Sequence, residues 1–137
     1  MKSDRIKQLM SDNAAVLRQL HRRIGETFEE RSHGPVQLKA WVDACREFHD
    51  RYDDLAMPGG YDAVLQGLEA GDAGAIDIAL CFVELRPYFF RSGYMYTLLM
   101  RRLKTCAKTQ EQAERHARVV ERAAAWRKQK KANAPLR

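Results

Sequence analysis

Apolar residues recur along the whole chain at intervals of three and four, the spacing that places them on one face of an α-helix. No long segment shows the alternation of apolar and polar residues that is typical of a β-strand. We therefore expect an all-α protein, a single-domain bundle of five to six helices with short connections, in which neighbouring helices could stack as αα-hairpins. The helical domain is expected over residues 1–131, followed by a short flexible tail at 132–137.

Proline, glycine and capping residues divide this pattern into segments. Pro35 suits the first turn of a helix, because its missing N–H has no intrahelical partner there. Gly71 suits the C-terminal end of one helix and Asp72 the N-cap of the next, and Ser92 is the expected N-cap of a later helix. The first segment, which ends near residues 31–34, is one long helix or a short helix followed by a long one. The later helices are predicted at 35–55, 61–70, 73–85, 92–107 and 109–130.

The last of these segments carries several specific expectations. Residues 109–112 have the T-x-x-Q sequence of a capping box. Glu111 with Arg115, and Glu114 with Arg118, have the spacing of ion pairs along one helix, which would neutralise part of its charge. The residues expected to face the core are Ala113, Ala117, Val120 and Ala124, with Val119, Ala123 and Trp126 beside them.

Charge is distributed unevenly along a chain whose net charge is +6. Residues 34–85 contain three basic and ten acidic side chains, whereas residues 86–137 contain fourteen basic and three acidic ones. The sign changes at Arg86. Such asymmetry indicates either that the two regions pair within the molecule or that a basic surface faces an acidic partner.

The segment from Arg86 to Tyr96 is unusual because it holds five of the ten Tyr and Phe residues. In one interpretation these rings close an end of the bundle, and Arg86 or Arg91 pairs with acidic residues of the 35–55 helix. In the other interpretation part of the cluster is exposed as an anchor for a partner, since Tyr and Arg are frequent in binding hot spots. The candidate partner-binding residues are Arg86, Tyr88, Phe90, Arg91, Tyr94, Arg101, Arg102 and Lys104.

Motifs with a dedicated chemistry are not found in the sequence. It contains no G-x-S-x-G, no phosphate-binding glycine loop and no paired Glu-x-x-His. Three widely spaced cysteines are expected to be free thiols. Four carboxylates of the 35–55 helix share one face, which we interpret as solvated or ion-paired rather than as a cation site. These four carboxylates are Asp43, Glu47, Asp50 and Asp54. We therefore expect no enzymatic activity, no metal and no cofactor.

These observations favour a small non-enzymatic protein–protein interaction module, such as an adaptor, an inhibitor or an immunity-type protein. It would dock through its basic and aromatic face on a protein with an acidic surface, and it could also form a homodimer. The alternative is an RNA- or DNA-binding protein that uses residues 86–131. No apolar run has the length of a membrane helix and no signal peptide is recognised, so a cytoplasmic location without membrane association is expected.

Overall fold

The computed structural model describes residues 2–133, which form six α-helices and no strand. This confirms the all-α bundle with short connections. Of the tail predicted at 132–137, Ala132 belongs to the last helix and Asn133 caps it, whereas 134–137 lie outside the described residues. The helices are α1 (Lys2–Phe28), α2 (Pro35–Ala56), α3 (Tyr61–Ala70), α4 (Ala73–Leu85), α5 (Ser92–Thr105) and α6 (Gln110–Ala132).

The first segment is a single continuous helix. The polar stretch at 11–13 does not begin a new helix, and the Asp12 carboxylate instead accepts a hydrogen bond from the Gln8 side chain at 2.9 Å. α1 ends at Phe28, slightly before the expected boundary, and α2 begins at Pro35 as predicted. The two helices pack along each other as a hairpin.

The core is organised around α4, which packs against α1, α3, α5 and α6. Its apolar residues cover nearly the whole circumference of the helix, so this position agrees with the sequence pattern. The Asp72 carboxylate caps α4 by accepting the backbone N–H of Ala75 at 2.9 Å. A Cβ atom on Gly67 would lie 2.3 Å from the Cβ of Ala75, so this glycine allows α3 to approach α4 closely.

The orientation of α6 differs from the expectation. Val119, expected beside the inward face, is buried together with Gln112. The predicted inward residues themselves are exposed, namely Ala113, Ala117, Val120 and Ala124. The capping box is present, and the Gln112 side chain also donates to the Ala73 carbonyl at 3.1 Å. Polar contacts of Gln112 and Arg115 with α4 thus join Val119 on the buried face of α6, and the spacing of apolar residues does not indicate those polar contacts.

The ion pairs expected along α6 are replaced by a contact between helices. Arg115 forms ion pairs with Asp77 and Glu84 of α4 instead of Glu111. The Glu114 carboxylate accepts a hydrogen bond from the Gln110 side chain at 3.5 Å. The charge of Arg115 is therefore used inside the molecule.

Candidate docking groove

The loop between α4 and α5 is bracketed by two arginines with positive φ. Arg86 caps α4 with φ 52° and ψ 61°, and its backbone N–H donates to the Phe82 carbonyl at 2.7 Å. Pro87 follows and cannot continue the helix. Arg91 is the N-cap of α5 with φ 69°. The left-handed region costs an L-residue on the order of 1 kcal/mol, so both positions would accommodate glycine more easily.

Contrary to the prediction from the sequence, Ser92 does not cap α5 with its side chain. It is the first residue of the helix and is buried. Its Oγ atom accepts the backbone N–H of Phe89 at 3.2 Å, and its own N–H donates to the Phe89 carbonyl at 3.0 Å. Ser92 therefore closes a tight turn inside the aromatic loop.

This turn separates the aromatic side chains into a buried one and three that face solvent. Phe89 is 4% exposed and packs edge-on against Phe82 and Tyr52, with ring centroids 6.2 and 6.0 Å away. Tyr88 is 77% exposed and Tyr94 75%, and nearly half of the Phe90 surface is also accessible. Phe89 therefore packs at the end of the bundle as the first interpretation expected, and its neighbours have the exposure that the second requires.

The exposed part of the loop is fastened to the α1–α2 hairpin through its backbone carbonyls. Arg18 of α1 donates to the Tyr88 carbonyl, and the Tyr52 hydroxyl of α2 donates to the Phe90 carbonyl, both at 2.7 Å. Burial raises the pKa of Tyr52, an effect that the charge of Arg91 partly offsets, so the hydroxyl remains a donor at neutral pH. The ring of His21 stacks on Phe90 with centroids 4.8 Å apart.

The loop, the start of α5 and the middle of α1 enclose an open groove of about 930 Å³. Four arginines line it, and none of the described lining residues is Asp or Glu. A groove with this lining is cationic and aromatic. The charged and aromatic lining residues are Arg18, His21, Arg22, Arg86, Tyr88, Phe89, Phe90, Arg91, Tyr94 and Tyr96.

Aromatic rings, rather than carboxylates, surround the two loop arginines. The guanidinium carbon of Arg86 lies 4.2 Å from the ring centroid of Tyr96 and 5.2 Å from that of Trp126. The guanidinium carbon of Arg91 lies 5.9 and 5.6 Å from the ring centroids of Phe90 and Tyr94.

Neither loop guanidinium donates a hydrogen bond or forms an ion pair within residues 2–133, so the pairing with α2 considered from the sequence does not occur there. Acidic residues of α2 pair locally or with α1: Asp43 with Lys39 at 2.7 Å, and Glu47 with Arg23 at 3.7 Å. The hydrogen bond from Lys39 is the main reason that the pKa of Asp43 lies below its ordinary value. The groove therefore keeps its positive charge.

Of the eight residues predicted from the sequence, five line the groove, namely Arg86, Tyr88, Phe90, Arg91 and Tyr94. The other three, Arg101, Arg102 and Lys104, are exposed on the second half of α5 and are not part of it. Arg102 instead lines a separate depression of about 350 Å³ beside Glu69.

The sequence interpretation missed the contribution of α1. Arg18, His21 and Arg22 precede the loop by more than 60 residues, and their proximity to it depends on tertiary packing. A local indication was present, because positions 18, 21 and 22 fall on one face of a helix. Three basic or imidazole side chains on that face form a basic stripe.

A second charged cluster lies half-buried between α1, α4 and α6. Arg115 bridges Asp77 and Glu84, and Lys7 approaches Glu84 at 3.2 Å. Burial alone would raise the pKa of Glu84, but hydrogen bonds from Arg115 and Lys7 outweigh it and lower that pKa. Burial raises the pKa of the adjacent Cys81 thiol. The members of this cluster pair with one another, and Glu84 also lines a depression of about 300 Å³ beside Arg86 and Trp126.

Within the part of the chain that the structure describes, no helix is both long enough and apolar enough to cross a membrane. The same residues contain no group of three or more His, Cys, Asp or Glu side chains placed to hold a metal ion. Comparisons of the chain with protein-family models, curated proteins and solved structures found no match.

Proposed function

We propose that this protein is a docking module that binds an acidic segment of a partner protein in the groove between α1 and the α4–α5 loop. The proposal rests on one observation: four arginines line the groove, and its described lining contains no carboxylate. A guanidinium group presents up to five N–H donors in a planar fork that fits a carboxylate. An acidic segment would supply the acceptors that the groove lacks. Adaptor, inhibitor and immunity-type roles are all compatible with such a module.

The arrangement of the rings favours a protein ligand over a single-stranded nucleic acid. Bases stack on free aromatic faces. In the groove, His21 already occupies one face of Phe90, and Arg86 lies over Tyr96. Arg91 lies near both Phe90 and Tyr94. Tyr88 is the groove ring without such a contact among the described residues. The other groups left available are mainly guanidinium edges, and Tyr and Arg side chains are frequent in protein–protein hot spots.

The loop that lines the groove is also held by contacts within the protein. The loop carbonyls accept hydrogen bonds from Arg18 and Tyr52, and Phe89 anchors the loop in the core. A ligand therefore does not have to order the loop, and less binding free energy is lost to conformational entropy.

The test uses a fluorescently labelled peptide of alternating Glu and Tyr, with a peptide of alternating Gln and Tyr as its neutral counterpart. We expect the acidic peptide to bind at low salt and the neutral one not to bind. The double variant Arg86→Gln/Arg91→Gln should weaken binding by about tenfold or more, because each arginine donates charge-assisted hydrogen bonds. Fluorescence anisotropy measures the dissociation constants.

A matched control is the double variant Arg101→Gln/Lys104→Gln, which removes the same charge from exposed positions outside the groove. It should bind the acidic peptide nearly as well as the wild type. Equal weakening by both double variants, or no binding by the wild type, would contradict the proposal. If an oligothymidylate bound more tightly than the peptide and lost affinity in Tyr88→Ala, the groove would be a nucleic-acid site instead.

A further inference from the structure

Arg86 and Tyr96 form a wall between the docking groove and α6. Both residues line the groove, and both also line a second depression of about 300 Å³ on the side of α6. That depression includes Trp126, which does not line the groove. Arg86 and Tyr96 therefore connect Trp126 with the groove.

The guanidinium of Arg86 lies between two rings, 4.2 Å from the centroid of Tyr96 and 5.2 Å from that of Trp126. Stacking uses the flat faces of a guanidinium and leaves the N–H donors at its edge free. Arg86 can therefore bind a carboxylate while its flat faces remain stacked against the two rings. The Arg86 side chain is long and has no hydrogen-bond or ion-pair partner in the described part of the chain. The two rings therefore restrict the orientations that it adopts.

The second half of α6 has few other contacts with the body of the protein. The buried residues of this helix are Gln112 and Val119, and Arg122 donates to the Glu84 carbonyl at 3.3 Å. Beyond Arg122, Ala123 is half-buried and Trp126 reaches Arg86. The stack on Arg86 is thus the outermost attachment of α6 found in the described structure.

We propose that Trp126 is a positioning residue of the docking groove, and that a ligand in the groove and the distal part of α6, residues 123–132, stabilise each other through Arg86. The proposal rests on the proposed function, because it requires Arg86 to contact the ligand. Since coupling between two sites is reciprocal, a helix that orients Arg86 for the ligand must itself be held more firmly when the ligand is bound.

The first measurement is the affinity for the acidic Glu–Tyr peptide. Trp126→Ala should weaken binding by about two- to fivefold, the effect expected from one exposed cation–π contact. Trp126→Phe should restore most of the affinity, and Val120→Ala, a truncation at another exposed position of α6, should leave it unchanged. In an Arg86→Gln background, Trp126→Ala should have no further effect, because the two residues act as one unit.

The second measurement is backbone hydrogen exchange in residues 123–132. Saturating peptide should slow this exchange in the wild type and not in Arg86→Gln. Without peptide, Arg86→Gln and Trp126→Ala should both accelerate it, because each removes the outermost attachment of the helix.

The two proposals fail in different ways. If the peptide does not bind the wild type, the proposed function falls, whereas the exchange measurement without peptide still tests the stack. If the peptide binds the wild type and Trp126→Ala with equal affinity, the coupling is overturned and the docking groove stands. Unchanged exchange of residues 123–132 in Arg86→Gln would also overturn the coupling.

Discussion

Two groups of arginines in this protein have opposite surroundings. Arg115, between α4 and α6, is 11% exposed and pairs with Asp77 and Glu84. Arg86 and Arg91, in the loop between α4 and α5, are exposed, contact aromatic rings and have no carboxylate partner within residues 2–133. The N–H donors of Arg115 are paired with carboxylates of the protein itself, whereas those of Arg86 and Arg91 have no such acceptor in the described residues. The charge of Arg115 therefore contributes to the fold, and that of the loop arginines is available to a ligand.

Local geometry explains why the two groups differ. Asp77 and Glu84 are two turns apart on α4, so they present carboxylates to one arginine of the neighbouring helix. Arg86 and Arg91 have positive φ and lie at the two ends of the loop that leads away from α4. Their side chains meet rings of the loop, α5 and α6 instead of the acidic face of α4.

The largest expected effect is the loss of stability when the ion pairs of Arg115 are removed. Arg115→Met should destabilise the protein by about 2 kcal/mol, because half-buried Asp77 loses its ion pair and half-buried Glu84 keeps only Lys7. Arg118→Met, at an exposed position of the same helix, should change stability by less than about 0.5 kcal/mol. Urea unfolding measures both. If the two variants were equally stable, Arg115 would be no more structural than a surface arginine.

The pH dependence of stability should follow the same cluster. The folded-state pKa of Glu84 is lowered, so its contribution is complete above the unfolded value of about 4.3 and is lost as pH falls through the folded value. Wild-type stability should therefore decline more steeply below that pH than the stability of Arg115→Met. Urea midpoints measured between neutral and acidic pH test this. Parallel declines would show that Arg115 does not lower the pKa of Glu84.

The smallest expected effect separates stability from binding in the groove. Arg91→Gly should be more stable than Arg91→Ala by about 1 kcal/mol, because glycine accepts the φ of 69° without strain. Both variants should bind the acidic peptide equally weakly, since both remove the guanidinium. Thermal unfolding and peptide titration of the pair provide the comparison. A more stable alanine variant would show that the backbone at this position is not strained.

The helices were largely predictable because their signals are local. Pro35, Gly71 and Asp72 stand at boundaries that the structure confirms, and the capping box at 109–112 is formed. Apolar residues around α4 also predicted its central position. Each of these features depends on neighbours within a few residues, so the sequence contains the information directly.

The groove and the orientation of α6 were less predictable, because both depend on side chains distant in sequence. Five groove residues follow from the unusual composition of residues 86–96, whereas Arg18, His21 and Arg22 come from α1. Arg101, Arg102 and Lys104 were included because they are basic and near in sequence, but helix geometry carries them away from the loop.

By itself, the sequence determined most of the helix boundaries, the central helix and the change of charge sign at Arg86, because capping, periodicity and composition are properties of short segments. The tertiary structure decided that Phe89 is buried between exposed Tyr88 and Phe90, and that Arg115 meets carboxylates while Arg86 meets rings. Burial and ion pairing depend on which surfaces meet, and that is set by the packing of α1, α4 and α6.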